Sequence, residues 1–382
     1  MNTSKYVVVG AGLAGAATAW HLASRDHEVT VLERSTPANK WGSSHGSARI
    51  FRYAYPELGY TRLVIDAKRG WDELERLSGR RLITPTGSVD HGSVRRPRQL
   101  AEVLQSAGVE HELLSPEQAQ HRWPQLVFDT EVLWHPGAGV LDAETTVTTM
   151  AELAVTQGAQ IRTGWELSSV TRSGNGFRLS SSTGEVLEAE RIIVCAGGWL
   201  PALLSDLSLP DAFVQQMPSL QVRQEQAYHF PYQKALEASA TPWPTFIHLS
   251  ENLQIYGLPG GRDARFQGQK VAKFNGGKVL SSARAQDQLM DESNRQQVME
   301  YVTRHLPGVV PEPYAETTCL FTNTPNEDFV LDTVDNITVV SPCSGHGGKF
   351  APLIGEMAAD LATGRDQVPE IFRVFGRHLR IQ

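Results

Sequence analysis

At 382 residues the chain is longer than the roughly 250–300 at which a single core stops growing, so two intimately joined domains are expected. Its formal charge of −7 arises from 35 basic and 42 acidic residues that are intermixed, with no Lys/Arg tract and no acidic tail; this argues against a nucleic-acid or membrane-surface partner and for a small soluble one. Three cysteines, Cys195, Cys319 and Cys343, without Cys-x-x-Cys spacing suggest neither a disulfide framework nor a zinc site and suit a reducing, cytoplasmic setting.

The N-terminus carries no long apolar leader, and no stretch approaches the ~20 apolar residues of a membrane span. Tyr6–Val9 predicts a short strand. Gly10-Ala11-Gly12-Leu13-Ala14-Gly15 then opens an alanine-rich helical stretch to Ala23, and Glu28–Leu32 predicts a second strand ending in Glu33. In this βαβ unit Gly10 permits the tight turn, Gly12 lets backbone approach a pyrophosphate, and Gly15 lets helix and strand pack closely. The phosphates would meet the helix N-terminus, where unpaired N–H groups and the macrodipole favour negative charge. Glu33, eighteen positions after Gly15, stands where a carboxylate reaches ribose hydroxyls. The glycines alone are a weak signal; strand, glycines, helix, strand and acid together specify a dinucleotide site.

No second crossover of this kind follows at once, as a nicotinamide-dependent dehydrogenase would usually show. A polar Gly/Ser/His loop covers Gly42 to Ser47. A strand predicted at Arg191–Cys195 exits through Ala196-Gly197-Gly198-Trp199, and another at Asn336–Val340 leads to Ser344-Gly345-His346-Gly347-Gly348. A helical run to Ala362 follows, with Pro352 in its first turn and Gly364 at its C-cap. Three strand-to-glycine exits scattered along the chain predict a nucleotide domain assembled discontinuously. Between them, Leu220–Phe230 and Phe246–Leu258 alternate as strands and predict an antiparallel sheet. The expected fold is α/β plus antiparallel β: a Rossmann-type nucleotide domain over 1–85, 145–215 and 319–382, and an antiparallel-sheet substrate domain over 86–144 and 216–318.

The N-terminal fingerprint, Ser44-His45-Gly46-Ser47-Ala48-Arg49-Ile50-Phe51-Arg52, Cys319-Leu320-Phe321-Thr322, Asn326-Glu327-Asp328-Phe329 and Ser344-Gly345-His346-Gly347-Gly348-Lys349-Phe350 together resemble the monomeric sarcosine oxidase and N-methyltryptophan oxidase family. Their order and spacing span nearly the whole chain. The resemblance implies a glutathione-reductase-type FAD domain, a monomer, and oxidation of N-methyl amino acids or related secondary amines by molecular oxygen with release of hydrogen peroxide. It implies that Gly10, Gly12, Gly15, Glu33, Arg34, Ser44, His45, Arg49, Gly345, His346, Gly347 and Lys349 hold FAD. Cys319 would carry the flavin through a thioether, with His45 and Arg49 supplying the positive field that lowers a thiol pKa; on residue type alone Cys319 reads as a small buried hydrophobe.

Arg52 and Lys349 match the pair that holds the substrate carboxylate, a planar fork and a mobile point charge. Tyr256 would line the pocket. Lys270 matches the lysine poised for reaction with oxygen, with Lys273 and Lys278 as alternatives. Three departures bear on substrate: Phe274 replaces a histidine of the family, Phe321 a tyrosine, and Gly348 an aromatic residue. Two polar handles are gone and space has appeared, which favours a bulkier or more apolar amine than sarcosine. The competing readings are a flavin-dependent amine dehydrogenase, an oxidase of cyclic imino acids or glycated amino acids, and a non-catalytic FAD-binding protein.

Overall fold

The computed structural model describes residues 3–233 and 242–375. Residues 1–2, 234–241 and 376–382, which the expected domain ranges include, lie outside the described residues.

The chain enters through β1 (Thr3–Val9), whose last four residues are buried, turns at Gly10 and continues as α1 (Leu13–Ala23) and β2 (Val29–Glu33). β1 is sandwiched in parallel between β2 and the strand Val186–Val194. Gln160–Thr163 extends the parallel sheet beyond β2, and Ile337–Ser341 joins it on the Val186–Val194 side. The antiparallel strands Leu167–Ser173, Gly176–Ser181 and Val330–Val334 bring this sheet to eight. Its central parallel segments, the second half of β1, β2, residues 192–194 and Ile337–Ser341, read as near-continuous apolar runs because both faces are covered.

One face is closed by α1, the helix Ala143–Thr156 and the helix Ala351–Thr363. The glycine and alanines of α1 and the last helix let their backbones approach closely: a Cβ built on Gly355 would lie 2.5 Å from the carbonyl carbon of Ala17. Gly364 ends that last helix in the left-handed region, φ +84, the C-cap that the sequence predicts.

The second sheet has nine strands and is antiparallel except where Ser88–His91 runs parallel to Thr245–Ser250. Phe246–Leu258, expected as one strand, is two. Thr245–Ser250 and Leu253–Pro259 fold back on each other with Ser250 opposite Leu253, leaving a two-residue turn at Glu251-Asn252. Because two is also the period of side-chain alternation, so short a turn leaves the apolar pattern unbroken on either side of it.

Ala315–Asn323 pairs with Gln221–Pro231 along its whole length, from His229 opposite Ala315 to Gln221 opposite Asn323. The 318/319 boundary drawn from the sequence therefore falls inside a strand, and Cys319 sits on the second sheet opposite Glu225. The sequence signal for the nucleotide segment was a glycine exit, and that exit comes only after Ile337–Ser341. A small sheet of β3 (Arg49–Phe51), Ile83–Pro85 and Gly139–Leu141 lies beside them, and α2 (Leu58–Ser78) packs on the last helix. Among the described residues no helix is long and apolar enough to cross a membrane.

Candidate active site

The two sheets enclose a cavity of about 960 Å³. At one end lies the glycine turn. Gly10 adopts φ +99, and a Cβ there would stand 2.6 Å from the Cys195 carbonyl oxygen; one on Gly15 would collide with the carbonyl of Gly10. Gly12 caps α1 and has no side chain to occupy the amides at the positive end of the helix. Ser44 Oγ accepts a hydrogen bond from the Leu13 N–H at 3.0 Å and so fixes the polar loop against this turn. The buried carboxylate of Glu33 accepts from the Ala11 N–H at 2.8 Å, the Ser35 N–H at 2.9 Å and the Asn39 side-chain amide at 3.3 Å, bracing the turn while facing the cavity. A carboxylate offers about four lone-pair sites, so capacity remains for ribose hydroxyls. Arg34 lies over the Trp199 ring at 4.5 Å, also on the cavity wall. A turn too tight for any Cβ, the positive end of a helix and a carboxylate with acceptor capacity to spare fit the pyrophosphate and ribose of FAD.

Midway along the cavity Cys319, Arg49, Lys270 and Tyr256 converge. Arg49 is clamped by its own loop, donating to the carbonyls of Ser43, His45 and Ala48 at 3.1, 2.7 and 2.9 Å. Lys270, buried on the strand Gly268–Lys273, donates to the Ala48 carbonyl at 3.3 Å. Burial, reinforced by Arg49, lowers its ammonium to about 8. Lys273 instead donates to Gln297 at 2.7 Å, and Lys278 pairs with Asp287, so of the three lysines only Lys270 lines the cavity.

Burial raises the Cys319 thiol, while Arg49 and Lys270 pull in the opposite direction. His45 does not share that cationic role: burial, then Arg49 and Lys270, depress its imidazole to about 4, so it stays neutral. The expected positive field at Cys319 therefore comes from Arg49 and Lys270. His45 Nε2 is buried without a hydrogen-bond partner, a donor or acceptor still available to a ligand. Burial also raises the Tyr256 phenol well above its ordinary range, so Tyr256 meets a ligand as a neutral hydroxyl and an apolar ring. Asp263, which sequence reading missed, lines the same region and accepts from the Ser47 hydroxyl, in the Gly/Ser/His loop.

At the far end Arg52 and Lys349 flank one phenol ring. The Arg52 guanidinium sits 4.7 Å from the Tyr55 centroid and donates to the Ala54 carbonyl; Lys349 Nζ donates to Tyr55 Oη at 3.0 Å and to the His346 carbonyl at 2.8 Å. Among the described residues neither cation has a carboxylate partner. Burial and then Arg52 hold Lys349 well below the usual lysine range. Tyr55 Oη bonds His346 Nδ1 at 2.9 Å, and His346 Nε2 lies 2.9 Å from the Glu327 carbonyl. That carbonyl can only accept, so Nε2 carries the proton and Nδ1 accepts from the tyrosine. Trp71 of α2 donates to the Lys349 carbonyl at 2.8 Å and holds the backbone beneath. Tyr55 is the second residue missed; its only sequence signal is its place three positions after Arg52.

Phe274 and Phe321 line this end with ring centroids 6.0 Å apart. Gly345, φ +71, lies against both rings, and a Cβ there would stand 2.9 Å from Phe274 Cε2. Gly347 and Gly348 also line the cavity, but a Cβ built on Gly348 points at Leu13 and Leu141, 3.6 and 4.0 Å away. The space at Gly348 therefore adjoins α1, apart from the phenylalanine wall.

Residues 5–361 match the family model described as FAD dependent oxidoreductase. The chain is 32% identical over 379 residues to the monomeric sarcosine oxidase of Streptomyces avermitilis, covering 94% of each. It is 31% identical over 368 residues to the N-methyl-L-tryptophan oxidase of Escherichia coli O127:H6, covering 93% of this chain and 94% of that one. Its fold is shared with NikD, an unusual amino acid oxidase essential for nikkomycin biosynthesis, with a TM-score of 0.83 and 24% identity over 97% of this chain and 96% of that one. The L-proline dehydrogenase of P. horikoshii has the same fold, with a TM-score of 0.80 and 20% identity over 99% and 98%. With its dinucleotide cradle and its match over nearly all of the chain, the protein belongs to the FAD-dependent oxidoreductases that include monomeric sarcosine oxidase and N-methyl-L-tryptophan oxidase.

Proposed function

We propose that the protein is an FAD-dependent oxidase of a carboxylate-bearing secondary amine, an N-methyl or cyclic amino acid more apolar than sarcosine. The observation that carries this reading is the pair Arg52 and Lys349, one half-buried and one buried, facing the cavity with no salt-bridge partner among the described residues. Buried charge is costly unless it is paired, so the site is built to receive an anion. Arg52 offers a planar fork and Lys349 a point charge, and together they orient an amino-acid carboxylate. The apolar rings of Phe274 and Phe321 then receive the rest of the substrate. Positioning of this kind removes part of the entropy barrier.

The redox chemistry, removal of two electrons and a hydrogen from the carbon beside the nitrogen, is what FAD supplies when bound. The product imine hydrolyses in water. The lowered ammonium of Lys270 places a fixed cation where negative charge develops as oxygen is reduced, with Arg49 beside it. Cys319 holds the flavin through a thioether; its place in the cavity wall among Arg49, Lys270 and Tyr256 supports that role. The three unpaired cysteines suit a reducing, cytoplasmic location.

The reading is tested by a screen for amine-dependent peroxide release across N-methyl amino acids, cyclic imino acids and glycated amino acids. Turnover should be highest with apolar N-methyl or cyclic amino acids. A specificity constant for sarcosine above that of every larger analogue refutes the proposed pocket, and dye reduction without oxygen uptake refutes the oxidase.

A further inference from the structure

On the second sheet, Ile247 and Leu249 line the cavity, so the alternation of a strand turns His248 to the opposite face. There His248 stands in register with His91 of the neighbouring parallel strand, the two rings stacked with centroids 4.1 Å apart. His305, the last residue of the helix Glu292–His305, lies edge-on to His248 at 5.1 Å. The loop carrying Asp129 is tied to the same point by the Val127 N–H, which donates to the His305 carbonyl at 2.9 Å. Asp129 Oδ1 thereby comes to 4.0 Å from His248 Nε2. One donor atom from each of His91, Asp129 and His248 lies within 4.8 Å of the others.

The ring nitrogens are what distinguish this cluster from ordinary packing. His91 and His248 are each only 2% exposed, yet His91 Nδ1, His248 Nε2 and His305 Nδ1 are buried without hydrogen-bond partners. Buried polar atoms are rarely left so, and three in one place point to something that binds them. The second nitrogen of His248 is already committed: Nδ1 bonds the Tyr301 hydroxyl at 3.0 Å. With Nδ1–H donating to that oxygen, the lone pair of Nε2 is directed toward Asp129, the arrangement by which an outer partner fixes a metal-binding imidazole. Gly92, φ +106, makes room, since a Cβ there would stand 2.7 Å from His248 Cδ2; its N–H also donates to Thr130, next to Asp129, at 2.8 Å.

We propose that His91, His248 and Asp129 form a binding site for a divalent transition metal of the zinc type, separate from the redox cavity. Two imidazoles and a carboxylate are a borderline nitrogen/oxygen set that suits zinc, with water in the fourth position and His305 beside it. Coordination at about 2.0–2.2 Å draws the donors together by roughly 1 Å. The Asp129 side chain, 59% exposed, is free to make that movement. The ion would staple the Asp129 loop to the sheet, and with it the end of the Glu292–His305 helix that the Val127 N–H bonds. The cysteine spacing that argued against zinc in the sequence is silent on a site whose ligands come from three separate segments.

The test is isothermal titration of chelator-treated holoenzyme with Zn²⁺, alongside its melting temperature. Saturable binding of one ion per chain is expected, with a melting temperature that rises by a few degrees at on the order of a hundredfold excess over Kd. Asp129→Asn should weaken binding at least about tenfold, Tyr301→Phe by about 10- to 100-fold, and His91→Ala with His248→Ala should abolish it. Flavin absorbance and amine turnover report folding in each variant. Absence of stoichiometric binding to the wild type, or unchanged affinity in Asp129→Asn, overturns the proposal; because Asp129 is exposed, that variant decides even if the histidine variants fail to fold.

Discussion

The proposed role of Arg52 and Lys349 rests on two basic groups at the cavity wall that have no salt-bridge partner among the described residues. A charge-assisted hydrogen bond is worth ~1.5–3 kcal/mol, so Arg52→Ala or Lys349→Ala should lower kcat/KM for carboxylate-bearing amines roughly 10- to 150-fold. Amines lacking the carboxylate should lose far less, and equal losses on both would remove the role. Lys270 gives a pH signature. Its ammonium is lowered to about 8, so its charge is present below that pH and lost above it. Flavin reoxidation by oxygen, timed by stopped flow apart from the anaerobic reduction, should slow as pH rises through about 8. Lys270→Met should be slow throughout and lose that dependence, whereas Lys273→Met and Lys278→Met should behave as wild type. At this scale the sequence brought forward residues that the fold gathers on one cavity wall, because Arg52, Cys319, Lys270 and Lys349 all lie in or near motifs. What spacing did not carry was environment. The neutrality of His45 follows from burial beside two cations, and the place of Tyr55 between Arg52 and Lys349 from the approach of segments nearly three hundred residues apart.

The βαβ unit and the last helix act as one element, since α1 presents its N-terminus to the cofactor site and rests on Ala351–Thr363. Gly355→Val should force the two helices apart, because even its Cβ lies 2.5 Å from backbone of Ala17. Overpacking of this kind costs about 1–3 kcal/mol, to be read as a lower denaturant midpoint together with weaker flavin retention. Gly364→Ala, which has no neighbour within 4 Å but a φ of +84, should cost less and leave flavin retention unchanged. These elements were readable in advance: glycines at Gly10 and Gly15, alanines along α1 and Gly364 at a helix end are local signals with local causes. The hairpin at Glu251-Asn252 and the full extent of Ala315–Asn323 were not. A two-residue turn preserves the alternating pattern, and a strand's membership of a sheet is decided by a partner almost a hundred residues away, Gln221–Pro231.

Over the whole molecule, burial keeps an unusual number of imidazoles neutral. It depresses His21, His45, His135, His229 and His248 to about 4 and His346 to about 3. Each folded value lies below the unfolded 6.5, so the unfolded chain binds more protons as pH falls, and stability is lost from about 6.5 downward. The melting temperature of the holoenzyme should therefore drop steeply between about pH 7 and pH 4, and a flat profile across that window would show that these rings are not held neutral. The same architecture lets one cavity be lined by the glycine turn, Cys319, Arg52 and Lys349, so that the cofactor cradle and the proposed carboxylate site share it. Its central consequence is oxidation of a carboxylate-bearing secondary amine. The most direct measurement is anaerobic mixing of the flavin-loaded protein with an apolar N-methyl amino acid and with the same amine lacking its carboxylate, followed by flavin absorbance. Rapid, saturable bleaching by the amino acid and slow bleaching by its decarboxylated partner is the expected result; no bleaching by any N-methyl or cyclic amino acid would contradict it.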